Sequence, residues 1–357
     1  MITTRLFLIV ASVAITLHAQ QPGADAPFYP DKTKLLVWRD AQVAEHPITK
    51  TEEWPHRREH ILANMQKVMG ELPKADSRVP LDVQVLSTDD LPTLTRKKIT
   101  YAEAKNYRVP AYLLIPKNIK GKAPAMLCLH GTSGGKGRTA GLGVDYPRYT
   151  LELAERGYVT IAPDYTLLGE NQIEPGSVGF ASGTMMGIWS HMRAEDLLES
   201  LPEVDATRMG CVGVSLGGHN ALFIGAFDTR MKVIVTSSGF DSFHDYMGGN
   251  LSGWCQPRYM MRIQDVYGKD PAKMPFDFPE VLAALAPRHL YVHAPISDSN
   301  FRIESVKRCV AAASTVYRLF EAEDHIATDY PEGGHGYPLD ARERSYRFID
   351  SVLKPTR

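Results

Sequence analysis

Five consecutive residues could hold a nucleophile: Gly213-Val214-Ser215-Leu216-Gly217, with Gly218 directly after them. Residues 209–214 form an apolar, strand-like run, and a helix-like stretch covers 217–227. A serine at such a junction sits in a strained turn that pushes its hydroxyl clear of the backbone. Side chains at 213 and 217 would collide with neighbouring backbone in so tight a turn, which accounts for the two glycines. The helix N-terminus behind the serine favours developing negative charge. The chemistry this predicts is nucleophilic attack by Ser215 on an electrophilic carbon.

A serine nucleophile needs a base, and the base needs an acid to orient it. The best base is His335, in the glycine-rich loop Gly333-Gly334-His335-Gly336 that follows a strand-like run at 325–330. His325 is its main competitor but starts that run. His219 lies one turn along the nucleophile's own helix and is expected to point away from the site. The best acid is Asp298, in the loop after the strand-like run 289–294. Asp324 and Asp329 are rivals, both too close in sequence to His335 to reach it easily. An oxyanion formed at the attacked carbon needs two donors. One is the backbone N–H of Leu216. The second is that of Thr132, in Leu129-His130-Gly131-Thr132 after another apolar run. His130 is read as structural.

Two further patterns are weighed and set aside. Residues 131–136 resemble a phosphate loop, but the spacing is one residue short and Lys136 is followed by Gly137 rather than Ser or Thr. His56-Arg57-Arg58-Glu59-His60 fits an inverted zinc-peptidase pattern on a helix. A solvated helix face is the plainer reading, and the rest of the chain builds a different site. No metal and no cofactor is expected.

These residues must be positioned by a scaffold. Apolar runs at 123–129, 159–162, 209–214, 233–237 and 289–294 alternate with helix-like segments at 148–156, 187–201, 217–227 and 303–320. This alternation predicts an α/β fold, a mostly parallel central sheet with helices on both faces. Strand-like runs at 81–86, 97–102 and 108–115, of which the first and third alternate partly, predict antiparallel pairing at the start of that sheet. Before them, residues 54–69 carry apolar positions at helical spacing, ended by Gly70 and Pro73. Residues 240–287 break the alternation and are rich in Gly, Pro and aromatics. They are read as a cap or rim beside the site, with Tyr246, Trp254 and Tyr259 as candidate substrate contacts.

The first residues read differently from the rest. Arg5, about a dozen apolar residues and His18-Ala19-Gln20 resemble a signal peptide over 1–19. The run is short for a membrane span, so no membrane association is expected after cleavage, and a secreted or periplasmic location follows. Residues 20–80 then form an N-terminal extension with a helix, and 81–357 the catalytic domain. With 357 residues, 44% hydrophobic, there is ample material for a large core. A formal net charge of −1 gives no basis for a nucleic-acid partner. Of the four cysteines, Cys128 and Cys211 lie in apolar runs as small hydrophobes, whereas Cys255 and Cys309 could pair.

The chain resembles the α/β-hydrolase superfamily, in its dienelactone-hydrolase-like and acetyl-xylan-esterase-like branch, related to the prolyl oligopeptidase catalytic domain. The resemblance covers residues 81–353. It rests on Leu129-His130-Gly131-Thr132, the Ser215 motif, Asp298 and Gly333-Gly334-His335-Gly336, with Ala162-Pro163-Asp164-Tyr165 and residues 192–198 in support. It implies the α/β-hydrolase fold and a Ser-His-Asp esterase acting through an acyl-enzyme on a small-molecule or carbohydrate ester. Position 215 is serine, where some dienelactone hydrolases have cysteine, which argues against that activity. The alternatives are a serine peptidase or acylaminopeptidase and, from another class, a catalytically idle binding protein. Too few residues precede position 81 for an oligopeptidase propeller, and an idle protein would be expected to lack one of the three site residues.

Overall fold

The computed structural model of the protein describes residues 26–143 and 146–354. The stretch at residues 1–19 that resembles a signal peptide lies outside them. A short antiparallel ribbon, β1 (Val37–Arg39) and β2 (Glu45–Pro47), leads into helix α1 (Trp54–Met69) and then into strands β3 (Gln84–Asp90), β4 (Leu94–Ala104) and β5 (Tyr107–Pro116). Strands and helices then alternate: β6 (Ala123–Leu129), α2 (Gly135–Thr139), α3 (Tyr149–Glu155), β7 (Val159–Pro163), α4 (Gly183–Ser200), β8 (Val204–Val214), α5 (Leu216–Phe227) and β9 (Val233–Ser237). After short helices α6 (Arg262–Asp265) and α7 (Phe278–Ala283), the chain closes with β10 (His289–His293), α8 (Ile303–Leu319), β11 (Ile326–Asp329) and α9 (Leu339–Leu353).

Among the described residues, nine strands form one sheet in the order β11-β10-β9-β8-β6-β7-β5-β4-β3. The six strands from β11 to β7 run parallel, and β5, β4 and β3 are antiparallel to their neighbours. The central strands are buried along their whole length because helices cover both faces, which is why they read as unbroken apolar runs. Their side chains still alternate between two cores. Leu127, Cys211 and Ile234 pack with α4 and α5, while Met126, Val212 and Val235 pack with α3 and α9. Strand β3 forms an edge and is mostly exposed.

The N-terminal extension shares the larger core. Ile61, Met65, Val68 and Met69 of α1 are fully buried in it. Arg57 reaches into the 240–287 segment, where its guanidinium donates to Glu280 at 2.6 Å, both side chains 0% exposed. The Tyr29 ring lies 3.3 Å from the same guanidinium. The 240–287 segment is itself well packed, with Phe240, Phe243, Trp254, Phe276 and Phe278 all buried and in ring contact.

Several sequence expectations shift. Strand β8 begins at Val204, five residues before the apolar run at 209–214. Helix α4 begins at Gly183, four residues early, because Ser182 caps it by accepting from the Met185 amide. All four cysteines are free, so Cys255 and Cys309 form no disulfide; the Cys255 thiol donates to the Leu251 carbonyl instead. Helix α9 was not foreseen.

Candidate active site

The carboxyl ends of β6, β8, β10 and β11 open on one edge of the sheet, where ligands of open α/β folds bind. Each end delivers one of the residues singled out above. From β8 the chain turns sharply into α5 at Ser215, whose backbone is held at φ 55°, ψ −118°. A non-glycine residue there is strained. Its amide donates to Ser237 at the end of β9, 2.9 Å away. A Cβ at Gly217 would land on the Leu129 carbonyl, and one at Gly213 on the carbonyl of Gly217. Glycine is therefore required at both positions.

The loop after β10 carries Asp298, and the loop after β11 carries His335. His335 Nδ1 lies 3.0 Å from each carboxylate oxygen of Asp298. Since a carboxylate only accepts, that nitrogen carries the proton and Nε2 is left as the basic atom. Burial pushes the Asp298 carboxyl up. The His335 ring and the amides of Asn300 (2.8 Å) and Phe301 (3.2 Å) outweigh burial and hold it below the usual carboxylate range. Asp324 and Asp329 are engaged elsewhere. Asp324 is exposed beside His325, and Asp329 accepts from Tyr291 and Arg344.

Ser215 and His335 line one open cleft of about 1110 Å³, together with Thr132, Tyr146 and Pro331. Leu216 is the first residue of α5, so its N–H has no partner within the helix. In the loop after β6, the Gly131 amide is taken by the Tyr146 hydroxyl at 2.9 Å, which leaves Thr132 as the next free donor. Below this loop His130 donates from Nδ1 to the Gly131 carbonyl (2.8 Å) and accepts at Nε2 from the Tyr165 amide (3.0 Å), the structural role read from sequence. Lys136, at the end of the stretch that resembles a phosphate loop, is buried against Asp164 at 2.5 Å. Asp164 also accepts from the Lys136 amide, so this pair pins the loop to the end of β7.

Tyr246, Trp254 and Tyr259 gather at a second, smaller pocket of about 130 Å³ that also touches Ser215, Leu216 and Thr132. His219 lines this pocket too, against the expectation that it points away. Ser215 immediately precedes α5 and His219 follows four residues later, and that spacing shares a helix face. Sequence reasoning also missed Tyr146, which sits in a loop with no periodic signal. His56 and His60 of the zinc-like pattern diverge: His56 stacks on Trp38, and the His60 ring meets the Tyr29 hydroxyl at 2.9 Å.

A serine on a strained strand-to-helix turn, an Asp–His pair on the next loops and a parallel sheet beneath define a serine-hydrolase site in an α/β-hydrolase fold. The chain has the α/β-hydrolase fold, and its matches are to esterases and hydrolases of that fold. The family described as "Acetyl xylan esterase (AXE1)" matches residues 70–246, and "Glucuronyl esterase, fungi" matches residues 176–321. The protein named "Putative hydrolase YtaP" of Bacillus subtilis (strain 168) is 24% identical over 300 residues, 80% of this chain and 97% of its own length. A 4-O-methyl-glucuronoyl methylesterase of Hypocrea jecorina is 25% identical over 206 residues, which are 50% of this chain and 42% of that enzyme. Among solved structures, a glucuronoyl esterase from Solibacter usitatus superposes with a TM-score of 0.68 at 22% identity, covering 92% of this chain and 99% of that one. The peptidase alternative finds no support in these matches.

Proposed function

We propose that the chain is an exported serine carboxylic ester hydrolase whose substrates are esters of carbohydrates. The observation that carries the reading is the Asp298–His335 pair, at 3.0 Å, whose His335 lines the same cleft as the strained Ser215. Ser215 Oγ attacks the ester carbon while His335 Nε2 takes its proton. The carbonyl oxygen becomes an oxyanion held by the Leu216 and Thr132 amides. The C–O bond to the alcohol breaks, and His335 returns the proton to that leaving oxygen. Water then attacks the acyl-enzyme by the same route, freeing the acid and restoring Ser215. Asp298 keeps the imidazole tautomer and stabilises the imidazolium.

The carbohydrate assignment is supported by the acetyl xylan esterase and glucuronoyl esterase matches and by the leader at residues 1–19, which would direct the chain out of the cytoplasm. No described helix is long and apolar enough to cross a membrane. In this reading residues 20–80 buttress the catalytic domain, and 240–287 form the rim that supplies Tyr246, Trp254 and Tyr259 to the substrate. A panel of acetyl, feruloyl and glucuronoyl esters tests it. Turnover of at least one class that disappears in Ser215→Ala is expected, and inactivity on all of them contradicts the reading.

A further inference from the structure

The acid and the base are bound into one unit. Besides the Asp298–His335 contact, the Ile296 amide donates to the Pro331 carbonyl (2.9 Å) and the Ser297 amide to that of Gly333 (3.0 Å), so their two loops are tied together. Catalysis needs a second distance as well, from this unit to Ser215. In the esterase reading, on which this inference rests, an error of about 1 Å there costs on the order of a hundredfold in rate.

Two serines at the end of β9 span that gap. The Ser237 carbonyl accepts the Ser215 amide at 2.9 Å, which anchors the nucleophile's turn. The hydroxyls of Ser237 and Ser238 both donate to the Gly336 carbonyl, one residue beyond the base, at 3.2 Å each. The Gly336 amide donates back to Ser238 Oγ at 3.4 Å. A carbonyl oxygen has two lone pairs, and here each meets one hydroxyl. Both serines are buried, and neither lines the cleft.

The neighbours keep both hydroxyls aimed at that carbonyl. Ser237 has a single hydroxyl hydrogen and two polar neighbours, the Gly336 oxygen and His293 Nδ1, the latter at 2.8 Å. Burial pushes the His293 ring down to about 4, so it is neutral near pH 7 and carries one proton. With that proton on Nδ1, His293 donates to Ser237 Oγ and leaves the serine's own hydrogen for Gly336. Ser238 is held at φ 45°, and its amide donates to the His293 carbonyl at 2.9 Å. A non-glycine residue is strained at that angle, whereas glycine would take it freely. Strain kept beside an active site points to a use for the side chain, here its hydroxyl.

We propose that Ser237 and Ser238 are positioning residues: together they hold the Gly336 carbonyl, and through it His335, within reach of the Ser215 hydroxyl.

The test uses 4-nitrophenyl acetate and variants that separate the hydroxyl from stability. Ser238→Gly relieves the backbone strain and Ser238→Ala keeps it, so their melting temperatures should differ. Both lack the hydroxyl, so kcat should fall alike in both, about threefold, with KM within about twofold of the wild type. Either hydroxyl alone can hold the carbonyl. Adding Ser237→Ala to Ser238→Gly should therefore lower kcat on the order of a hundredfold, beyond the product of the single losses. A kcat that follows melting temperature instead of the hydroxyl, or a folded double variant that loses no more than that product, overturns the positioning role while the esterase reading stands. A wild type that neither turns over the ester nor takes a fluorophosphonate label at Ser215 overturns the esterase reading itself.

Discussion

The Nδ1 of His335 is shared between the two carboxylate oxygens of Asp298, 3.0 Å from each, although the two residues lie 37 apart in sequence on separate loops. One proton bridging two acceptors fixes the imidazole's tautomer and its plane. Asp298→Asn keeps the shape but allows the amide to donate to Nδ1, which flips the tautomer. By analogy with the same change in serine proteases, kcat should fall about 10⁴-fold, with a melting temperature close to that of the wild type. Asp324→Asn should leave kcat within about threefold. Steady-state kinetics on 4-nitrophenyl acetate would decide it, and a large loss from Asp324→Asn would move the acid's role elsewhere.

Buried histidines make stability pH-dependent. Burial pushes His191 and His219 down to about 3 from the ordinary 6.5. With a folded pKa below the unfolded one, the unfolded chain binds the extra proton as pH falls below 6.5. Stability is therefore fully present above that pH and declines toward pH 3. Each such histidine accounts for on the order of 2 kcal/mol between pH 7 and 5. Buried Glu103 and Asp241, pushed up to about 8 and about 7, act in the opposite sense, so the histidine share is read by comparing wild type with His191→Gln in urea at pH 7 and 5. The variant should lose less stability, or gain more, than the wild type on going to pH 5, and an unchanged pH dependence would contradict the neutral, buried state of the His191 ring.

The ion pair Arg57–Glu280 joins α1 to the 240–287 segment, with both side chains 0% exposed. Removing one partner leaves a buried charge uncompensated. Arg57→Met should therefore destabilise the protein by about 3–5 kcal/mol, and adding Glu280→Leu should recover much of that. Chemical denaturation of the two single variants and the double variant measures it. Additive losses in the double variant would mean the two groups do not depend on each other.

Gly217→Ala should fail to give the wild-type turn. The added methyl would meet the Leu129 carbonyl, which is backbone and cannot step aside. Loss of activity with a clear drop in melting temperature is expected. Thermal melts and esterase rates of the purified variant check both, and an active, fully stable variant would contradict the turn's geometry.

The parallel strands were legible because burial on both faces makes each a continuous apolar run. Strands β6 and β9 fall at the residues the sequence suggests. The tight turn at Ser215 was legible because such a turn needs glycine at fixed offsets, and the loop that holds Asp298 because it follows an apolar strand. Helix α9 carried a readable pattern in Ala341, Ser345, Ile349 and Leu353, four residues apart and buried, that the run of charges between them hid. The packing of residues 240–287 was not legible, since its aromatic rings meet partners far away in sequence, such as Phe223. The same holds for the tie between Lys136 and Asp164, 28 residues apart.

The central claim is that Ser215 is the nucleophile. Its side chain is only half-buried and lines the cleft, so Ser215→Ala removes no core volume and should change stability by no more than about 1 kcal/mol. Losing the nucleophile of a triad costs around 10⁶-fold in turnover in a serine protease. The direct measurement is ester turnover of wild type and Ser215→Ala, with mass-spectrometric mapping of a fluorophosphonate adduct. One adduct, on Ser215, and no turnover above background in a folded Ser215→Ala variant are expected. Substantial activity in that variant, or an adduct on another residue, would contradict the claim.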